Sequence, residues 1–373
     1  MTSRLAPETR RCVLHVGSPK TGTTYLQSVL WGSRDGLREQ GFRLPLRSLE
    51  DHFFLTLALR GRLDAAVDPP QALVVLDRLR KDVAMPGSEH LLVSHELLAP
   101  VEQERVDAFL DLFTDFEVHV LITARDLARQ VPSEWQQHVK TRSNVTYQAF
   151  VERVVERQAQ HFWSVQDVAS VAQRWGSRLP PDRVHIVTVP PAGAPADLLL
   201  TRFCSAVGLD PSGLSRDQSA TNDSMGYVQT ELLRRINLAL ADRFPNPRQG
   251  YNRTVKFWFA ERVLAEQPAK QRLVLPPERW DWCRAVSREI VERIEQAGYD
   301  VVGDLSDLIP AEPHADEPMH TPSNADVADA AIEAIISMLE ERNQSTRGAA
   351  IPSQRTVARF RESASRVARR WRG

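Results

Sequence analysis

Residues 14–27 read L-H-V-G-S-P-K-T-G-T-T-Y-L-Q, and they predict a strand, a turn and a helix in succession. The apolar run 12–16 is typical of a buried strand, and the chain then turns through Gly17, Pro19 and Gly22. From Thr23 onward the apolar residues recur at helical spacing. This layout is typical of a phosphate cradle, because the turn amides and the helix N-terminus point at an anion.

The loop differs from the ATP-binding pattern in the position of its lysine. Gly17 and Gly22 match the glycines of G-x-x-x-x-G-K-S/T, but Thr23 stands where that pattern has lysine. The lysine of this chain lies inside the turn, at Lys20. No clear acidic strand end follows to hold Mg²⁺, although Glu96 could be considered for that role. The loop sequence therefore predicts a binding site in which an internal lysine holds a nucleotide phosphate without a metal ion.

A second apolar run carries ionisable side chains at its end. Leu91–Ser94 predicts a short buried strand, and His95 and Glu96 follow it directly. Ligands of open parallel sheets bind beyond the carboxyl ends of the strands. If the two strands share a sheet, we expect His95 and Glu96 at the same edge as Lys20.

A third strand, predicted over Val118–Thr123, leads to Arg125 and a following helix. Ser133 lies eight residues after Arg125, about two helical turns along. A guanidinium and a hydroxyl in this arrangement can grip one terminal phosphate. Two alternatives remain open: Pro132 is unfavourable inside that helix, and Arg125 could instead form a salt bridge with Asp126.

The loop resembles the 5′-phosphosulfate-binding loop of sulfotransferases that use 3′-phosphoadenosine 5′-phosphosulfate (PAPS), through the form P-K-T-G-T-T-x-L-Q. Arg125 and Ser133 resemble the 3′-phosphate-binding element of that family. The resemblance implies a three-layer α/β sandwich with a central, mostly parallel sheet and P-loop NTPase-like topology, plus C-terminal helices. It also implies PAPS as the donor, with no metal ion. The cofactor-binding residues that it implies are Ser18, Lys20, Thr21, Gly22, Thr23, Thr24, Arg125 and Ser133.

The catalytic residues expected from this resemblance are Lys20, Glu96 and His95. Sulfuryl transfer by in-line displacement should depend on positioning and charge stabilisation, by analogy with phosphoryl transfer. Lys20 would neutralise charge on the bridging oxygen. The acceptor proton needs a base, and strand alternation turns only one of His95 and Glu96 into the crevice. We favour Glu96, because related bacterial sequences resemble S-x-E here, and His138 is a third candidate.

The late R-K-G loop, which closes over the nucleotide in the animal cytosolic sulfotransferases, is absent from this chain. No aromatic residue at the end of the fourth predicted strand, over 184–189, is placed to stack on adenine. Four residues are candidates to replace the missing loop, and the sequence does not choose among them: Asn222, Ser224, Arg253 and Lys256.

Composition bounds the class of protein. The chain has 373 residues, 42% of them hydrophobic, which is ample for a core. Its 47 basic and 48 acidic residues give a net charge of −1, so nothing global favours nucleic-acid binding. Its three cysteines are widely spaced, which argues against a disulfide framework or a cysteine metal site. Without a secretory leader or a long apolar run, a cytoplasmic location is the expectation.

The chain divides into a long globular part and a short C-terminal part. We expect a disordered N-terminus over 1–10, a sulfotransferase domain over 11–309 and a linker over 310–323. A helix over 324–343 should pack on the domain. The tail 355–373, within a basic segment 344–373, holds seven arginines against one acidic residue. It is typical of a helix on an anionic membrane or acidic surface, or of a docked or disordered tail.

The sequence therefore predicts sulfonate transfer from PAPS to a hydroxyl, less readily an amine, of a small-molecule acceptor. The acceptor classes considered are a carbohydrate, a glycolipid and a secondary metabolite. Two alternatives remain open: a small-molecule kinase that uses Mg²⁺ and ATP, and a non-catalytic nucleotide-binding scaffold.

Overall fold

The computed structural model describes residues 9–215, 225–241, 243–244, 247–267, 271–311 and 320–348. In these ranges no helix is both long enough and apolar enough to cross a membrane. The sequence expectations for Asn222, Ser224 and the tail 355–373 lie outside the described residues.

A sheet of six parallel strands forms the centre of the described chain. In space the strands follow the order 2-3-1-4-5-6, so the first strand lies between the third and the fourth. All four strands expected from apolar runs are present, and two short edge strands complete the sheet. Their bounds are β1 (Arg11–His15), β2 (Phe42–Arg43), β3 (His90–Ser94), β4 (Glu117–Ala124), β5 (Val184–Thr188) and β6 (Asp300–Val302).

The described residues form fourteen α-helices, which lie on both faces of the sheet or pack on the helices that do. Their bounds are α1 (Thr23–Gly32), α2 (Arg34–Glu39), α3 (Leu49–Leu59), α4 (Pro70–Leu73), α5 (Val75–Val83), α6 (Gln103–Leu110), α7 (Leu127–Lys140), α8 (Tyr147–Val155), α9 (Gln160–Gln166), α10 (Val168–Gly176), α11 (Leu198–Val207), α12 (Tyr227–Leu240), α13 (Trp280–Ala297) and α14 (Asn324–Gly348). A π-helix, Pro247–Leu264, stands between α12 and α13.

Alternation along the strands divides the core into two layers. Val13 and Leu121 pack with the apolar side of α1, α2 and α11 on one face. Leu14 and Val120, their neighbours in sequence, pack with α7, α10 and α13 on the other. Strands that are buried on both faces need apolar residues at nearly every position, which explains the uninterrupted runs in the sequence. The expected three-layer α/β fold is thus confirmed.

Two helical segments differ from the sequence expectation. The helix expected over 23–38 breaks at Ser33, whose hydroxyl accepts a hydrogen bond from the Ser215 amide at 2.7 Å. The long segment expected over 146–176 forms α8, α9 and α10, because Arg157 takes a left-handed φ of 59° and Asp167 caps α10. Pro132, by contrast, is accommodated inside α7, so Ser133 does lie on that helix.

The topology places a crevice at the carboxyl ends of β1 and β4. These strands are neighbours, with His15 in register with Leu121. The helix after β1 lies on one face of the sheet, and the helix after β4 lies on the other. Neighbouring strands whose connections leave to opposite faces open a binding crevice beyond their ends. Both predicted phosphate-binding elements begin at this crevice.

Candidate active site

The loop after β1 is shaped by three residues with left-handed backbone. Gly17 has φ 54°, Lys20 φ 66° and Gly22 φ 83°. Only glycine takes such values without steric cost, so Lys20 is an exception that its surroundings must hold. Gln130 of α7 donates to the Pro19 carbonyl at 2.9 Å, and Arg125 donates to the Lys20 carbonyl at 3.1 Å. These contacts tie the outside of the loop to β4 and α7.

The inside of the loop offers a row of open donors. The backbone amides of residues 20–24 donate to no acceptor of the described residues, and no side chain caps the N-terminus of α1. Successive free amides at a helix N-terminus form a concave anion site, favoured further by the helix dipole. The observed geometry is therefore that of a phosphate cradle.

The hydroxyls of the loop play different parts. Ser18 is fully buried and donates to the Val165 carbonyl at 2.9 Å. Thr21 donates to the Ser18 carbonyl at 2.6 Å and also lies 2.6 Å from the Thr123 hydroxyl. Ser18 and Thr21 thus brace the loop against α9 and β4, and Thr21 can reach an anion only through its amide. Thr24 is exposed at the mouth of the cradle.

The ammonium of Lys20 lies among charges but forms no ion pair with a described carboxylate. The charged groups that act on it most strongly are Glu134, Lys256 and Glu96. Burial lowers the pKa of Lys20, and Glu134 and Glu96 act in the opposite direction. A largely desolvated cation without a direct partner has an unmet need for an anion.

Arg125 enters the crevice from the end of β4, where its only described hydrogen bond is the one to the Lys20 carbonyl. Its Nε is buried without a partner, beside a cavity of about 10 Å³ that also meets the unpartnered hydroxyl of Ser287. That space suits one bridging water. Burial, and then the charge of Arg129, lowers the pKa of Arg125 to about 10. Asp126 pairs with Arg129 instead, so the alternative salt bridge to Arg125 is absent.

The hydroxyl of Ser133 is not oriented to donate to a phosphate, contrary to the sequence expectation. Its hydroxyl donates to the Arg129 carbonyl at 2.8 Å, one turn back on α7. In this rotamer the oxygen keeps only acceptor capacity, whereas a phosphate needs a donor. A change of χ1 is therefore required before Ser133 can bind an anion.

His95 and Glu96 follow β3 on the same edge of the sheet. The His95 Nδ1 accepts a hydrogen bond from the Leu97 amide at 3.1 Å and lies 3.6 Å from a Glu96 oxygen. Because Nδ1 is an acceptor, the proton of the neutral ring sits on Nε2. Burial lowers the pKa of His95, against the pull of Glu96.

Glu96 reaches back towards the loop. Gln27 of α1 donates to its Oε2 at 3.0 Å. Burial alone would raise the pKa of Glu96, but His95, a backbone hydrogen bond and Gln27 outweigh it and hold that pKa below its ordinary value. Glu96 is consequently ionised at neutral pH, with Lys20 among its charged neighbours.

Glu134 is a residue of this site that sequence reasoning missed. It is 2% exposed and accepts a hydrogen bond from Gln166 at 3.2 Å. Of all charged groups, it has the largest effect on Lys20. Burial raises its pKa to about 7, although Lys20 lowers it. One signal could have revealed it. Gln130 and Glu134 stand four apart, so they form a polar pair on one face of α7.

The remaining candidates differ in their burial and in the groups around them. Burial, and then His161, lowers the pKa of His138 to about 4, and its ring packs against Phe150. Among the proposed substitutes for the late loop, Lys256 on the π-helix lies near Lys20, and Arg253 is exposed. Arg272, which the sequence did not single out, adds positive potential at Arg125. A separate cavity of about 550 Å³ lies at the junction of α1 and α2, on residues 31–36, 38, 213 and 215.

Comparisons with known proteins add two solved structures. No protein-family model and no curated protein matches the chain. A sulfotransferase from Alicyclobacillus acidocaldarius is 15% identical, with a TM-score of 0.38, over 63% of this chain and 95% of its own. The sulfotransferase domain from the curacin biosynthetic pathway is 16% identical, with a TM-score of 0.32, over 58% and 80%. At these values the function has to be inferred from the site itself.

Proposed function

We propose that this protein is a sulfotransferase that moves a sulfonate group from PAPS to an acceptor hydroxyl. The observation that carries the proposal is the junction of Arg125 and the Lys20 loop. The guanidinium donates to the Lys20 carbonyl at 3.1 Å, so a cation from the end of β4 lies against the loop whose amides 20–24 are open. Such an arrangement suits a ligand with two separate phosphate groups, as 3′-phosphoadenosine nucleotides have.

The residues of this chain fit the two ends of that nucleotide. The amides of residues 20–24, with the hydroxyls of Thr23 and Thr24, would hold the 5′-phosphate. Arg125 would hold the 3′-phosphate, with Ser133 joining after rotation of its hydroxyl. Arg272 would strengthen the positive potential there. Neither Arg125 nor the ammonium of Lys20 pairs with a carboxylate of the described residues, which supports this fit.

Lys20 and Glu96 carry the chemistry in this proposal. PAPS, when bound, supplies an activated sulfonate group whose departure leaves negative charge on a bridging oxygen. Lys20 would stabilise that charge, because its ammonium is already desolvated and needs no reorganisation. Glu96 would take the acceptor proton, because its carboxylate is ionised and held in place by Gln27. His95 is less suited, since its Nδ1 is engaged by the Leu97 amide.

Glu134 would position Lys20 rather than touch the substrate. With a pKa of about 7 and 2% exposure, it can hold or release a proton as the charge around Lys20 changes. This lets the buried ammonium remain charged before an anion arrives.

The acceptor, location and metal requirement are parts of the same proposal. We infer a hydroxyl of a carbohydrate, glycolipid or secondary metabolite, a cytoplasmic location and a donor site that needs no metal ion. The π-helix beside Lys20, through Lys256 and Glu261, would form one wall of the acceptor site.

Calorimetry without metal tests the donor assignment directly. We expect 3′,5′-adenosine bisphosphate to bind with a dissociation constant on the order of micromolar, about −8 kcal/mol, and ATP to bind far more weakly. Equal affinity for the two nucleotides would refute the assignment. A requirement for Mg²⁺ and ATP would instead favour the kinase. Tight bisphosphate binding without turnover on any acceptor would favour the scaffold.

A further inference from the structure

The helix α14 has two apolar faces, and the described residues cover one of them. Val327, Ala330 and Ala334 are buried against the body of the protein, where α14 packs on α12 and the π-helix. The opposite side carries a second row of large apolar side chains. We call this row the outer face, and its members are Ile332 (55% exposed), Ile335 (56%), Ile336 (43%) and Leu339 (64%).

The outer face is continuous. Its residues follow the spacing i, i+3, i+4, i+7, which places them on one stripe of the helix. Single exposed apolar residues are ordinary, but a contiguous stripe marks an interaction surface. Three exposed acidic residues, Asp329, Glu333 and Glu340, lie along one edge of this stripe. The surface therefore suits an apolar partner with positive charge at its rim.

The chain itself carries a segment with those properties. Residues 355–373 contain seven arginines and one acidic residue, and their apolar residues 357, 360, 364, 367 and 371 recur at helical spacing. Residues 324–348 contain five acidic and two basic residues. The two segments thus have opposite charge, about +6 against −3 from these counts.

The connection between the segments has the right length for a hairpin. Residues 349–354 include Pro352, and two antiparallel helices are ordinarily joined by ~2–8 residues. Placing residue 355 opposite Gly348 sets the helical rows against each other, because both rise by the same distance per residue. Three apolar pairs then come together: Leu339 with Ala364, Ile336 with Val367, and Ile332 with Trp371.

We propose that residues 355–373 fold back as a helix onto the outer face of α14 and form an αα-hairpin with it. The short connection gives the tail an effective concentration of the order of millimolar, which a separate partner lacks. A second copy of the chain would bring α14 against α14, acidic edge near acidic edge, and like charges oppose that contact.

Disulfide trapping tests the register. The double variant Ile336→Cys with Val367→Cys should form an intramolecular disulfide on mild oxidation, because the pair lies within bridging distance in the hairpin. The matched control, Ile336→Cys with Ser365→Cys, uses a position about 160° away on the tail helix and should cross-link at least ~10-fold more slowly. The three natural cysteines are buried and stay in place.

Each other outcome overturns the proposal. Equal trapping of both pairs, or none, means that the tail does not sit in this register. A disulfide-linked dimer of the single variant Ile336→Cys means that a second copy covers the outer face.

Sedimentation with vesicles of phosphatidylserine and phosphatidylcholine separates docking from membrane binding. Ile336→Asp, at a position 43% exposed, should free the tail without disturbing the core. We expect it to bind these vesicles about 10-fold more tightly than the unmodified chain, equivalent to ~1.4 kcal/mol. If the unmodified chain binds as tightly as the variant, the tail is a membrane anchor and the hairpin does not form.

Discussion

Replacing Arg125 by alanine should weaken 3′,5′-adenosine bisphosphate far more than 5′-AMP. Arg125 has no carboxylate partner in the described structure and is largely desolvated, so its charge is available to a terminal phosphate. Removing one member of a desolvated charge pair costs ~2–4 kcal/mol, or about 30- to 1,000-fold in the dissociation constant. Calorimetry with both nucleotides separates the 3′-phosphate from the rest of the ligand.

Comparing the affinities of the two nucleotides distinguishes loss of the 3′-phosphate contact from a folding defect in the variant. 5′-AMP lacks the 3′-phosphate, so its affinity should change by less than ~3-fold in Arg125→Ala, about 0.6 kcal/mol. Arg125→Lys keeps the charge but loses the planar fork, and an intermediate loss is expected. Arg129→Ala is a matched control, because that guanidinium is already paired with Asp126. An equal loss for both nucleotides would show that Arg125 supports the Lys20 loop instead of reading the 3′-phosphate.

Three further changes test the site and its surroundings. Glu96→Gln should reduce kcat by at least ~100-fold and leave bisphosphate affinity intact, since a base acts only on the acceptor; an unchanged rate moves the role to His95. Lys20→Met should raise the pKa of Glu134 above about 7, because the charge of Lys20 lowers that pKa. Carboxyl NMR titration measures the change directly, and a fall in the pKa of Glu134 would contradict the inferred electrostatic interaction between the two residues. Burial lowers the pKa of His15 to about 4. The folded state therefore binds its proton later than the unfolded state, and stability should fall as pH drops from 6.5 towards 4, by about 3 kcal/mol in full. Chemical denaturation of His15→Gln and the unmodified chain at pH 7 and pH 5 should show a smaller acid loss in the variant.

The central strands could be predicted because their signal is local. A strand buried on both faces needs an uninterrupted apolar run, and 12–16 and 118–123 are such runs. The edge strands Phe42–Arg43 and Asp300–Val302 have two and three residues. Segments this short cannot show a periodic pattern of apolar residues in the sequence. The break at Ser33 was also beyond prediction, because it depends on a hydrogen bond from Ser215, 182 residues away.

Some features of the candidate site could likewise be predicted from local sequence, and others depend on the assembled fold. The positions of Lys20 and Arg125 follow from where their strands end, which is a local property of the sequence. The direction of a hydroxyl is not local: Ser18 turns to the Val165 carbonyl, 147 residues away. Glu134 escaped notice because its raised pKa arises from burial, and burial is a product of the assembled fold.

The hydrogen bond from Gln27 to Glu96 would couple binding of the donor at α1 to the position of the proposed base. In the proposed site the first turn of α1 faces the 5′-phosphate, and one turn later Gln27 of the same helix donates to Glu96, the proposed base. A tilt of α1 on binding of the proposed nucleotide would be passed to Glu96 through this 3.0 Å hydrogen bond. The proposed reaction should accordingly show a compulsory order, donor before acceptor, in initial-rate patterns. Gln27→Leu should relax that order to random entry, and persistence of the order would place its origin elsewhere.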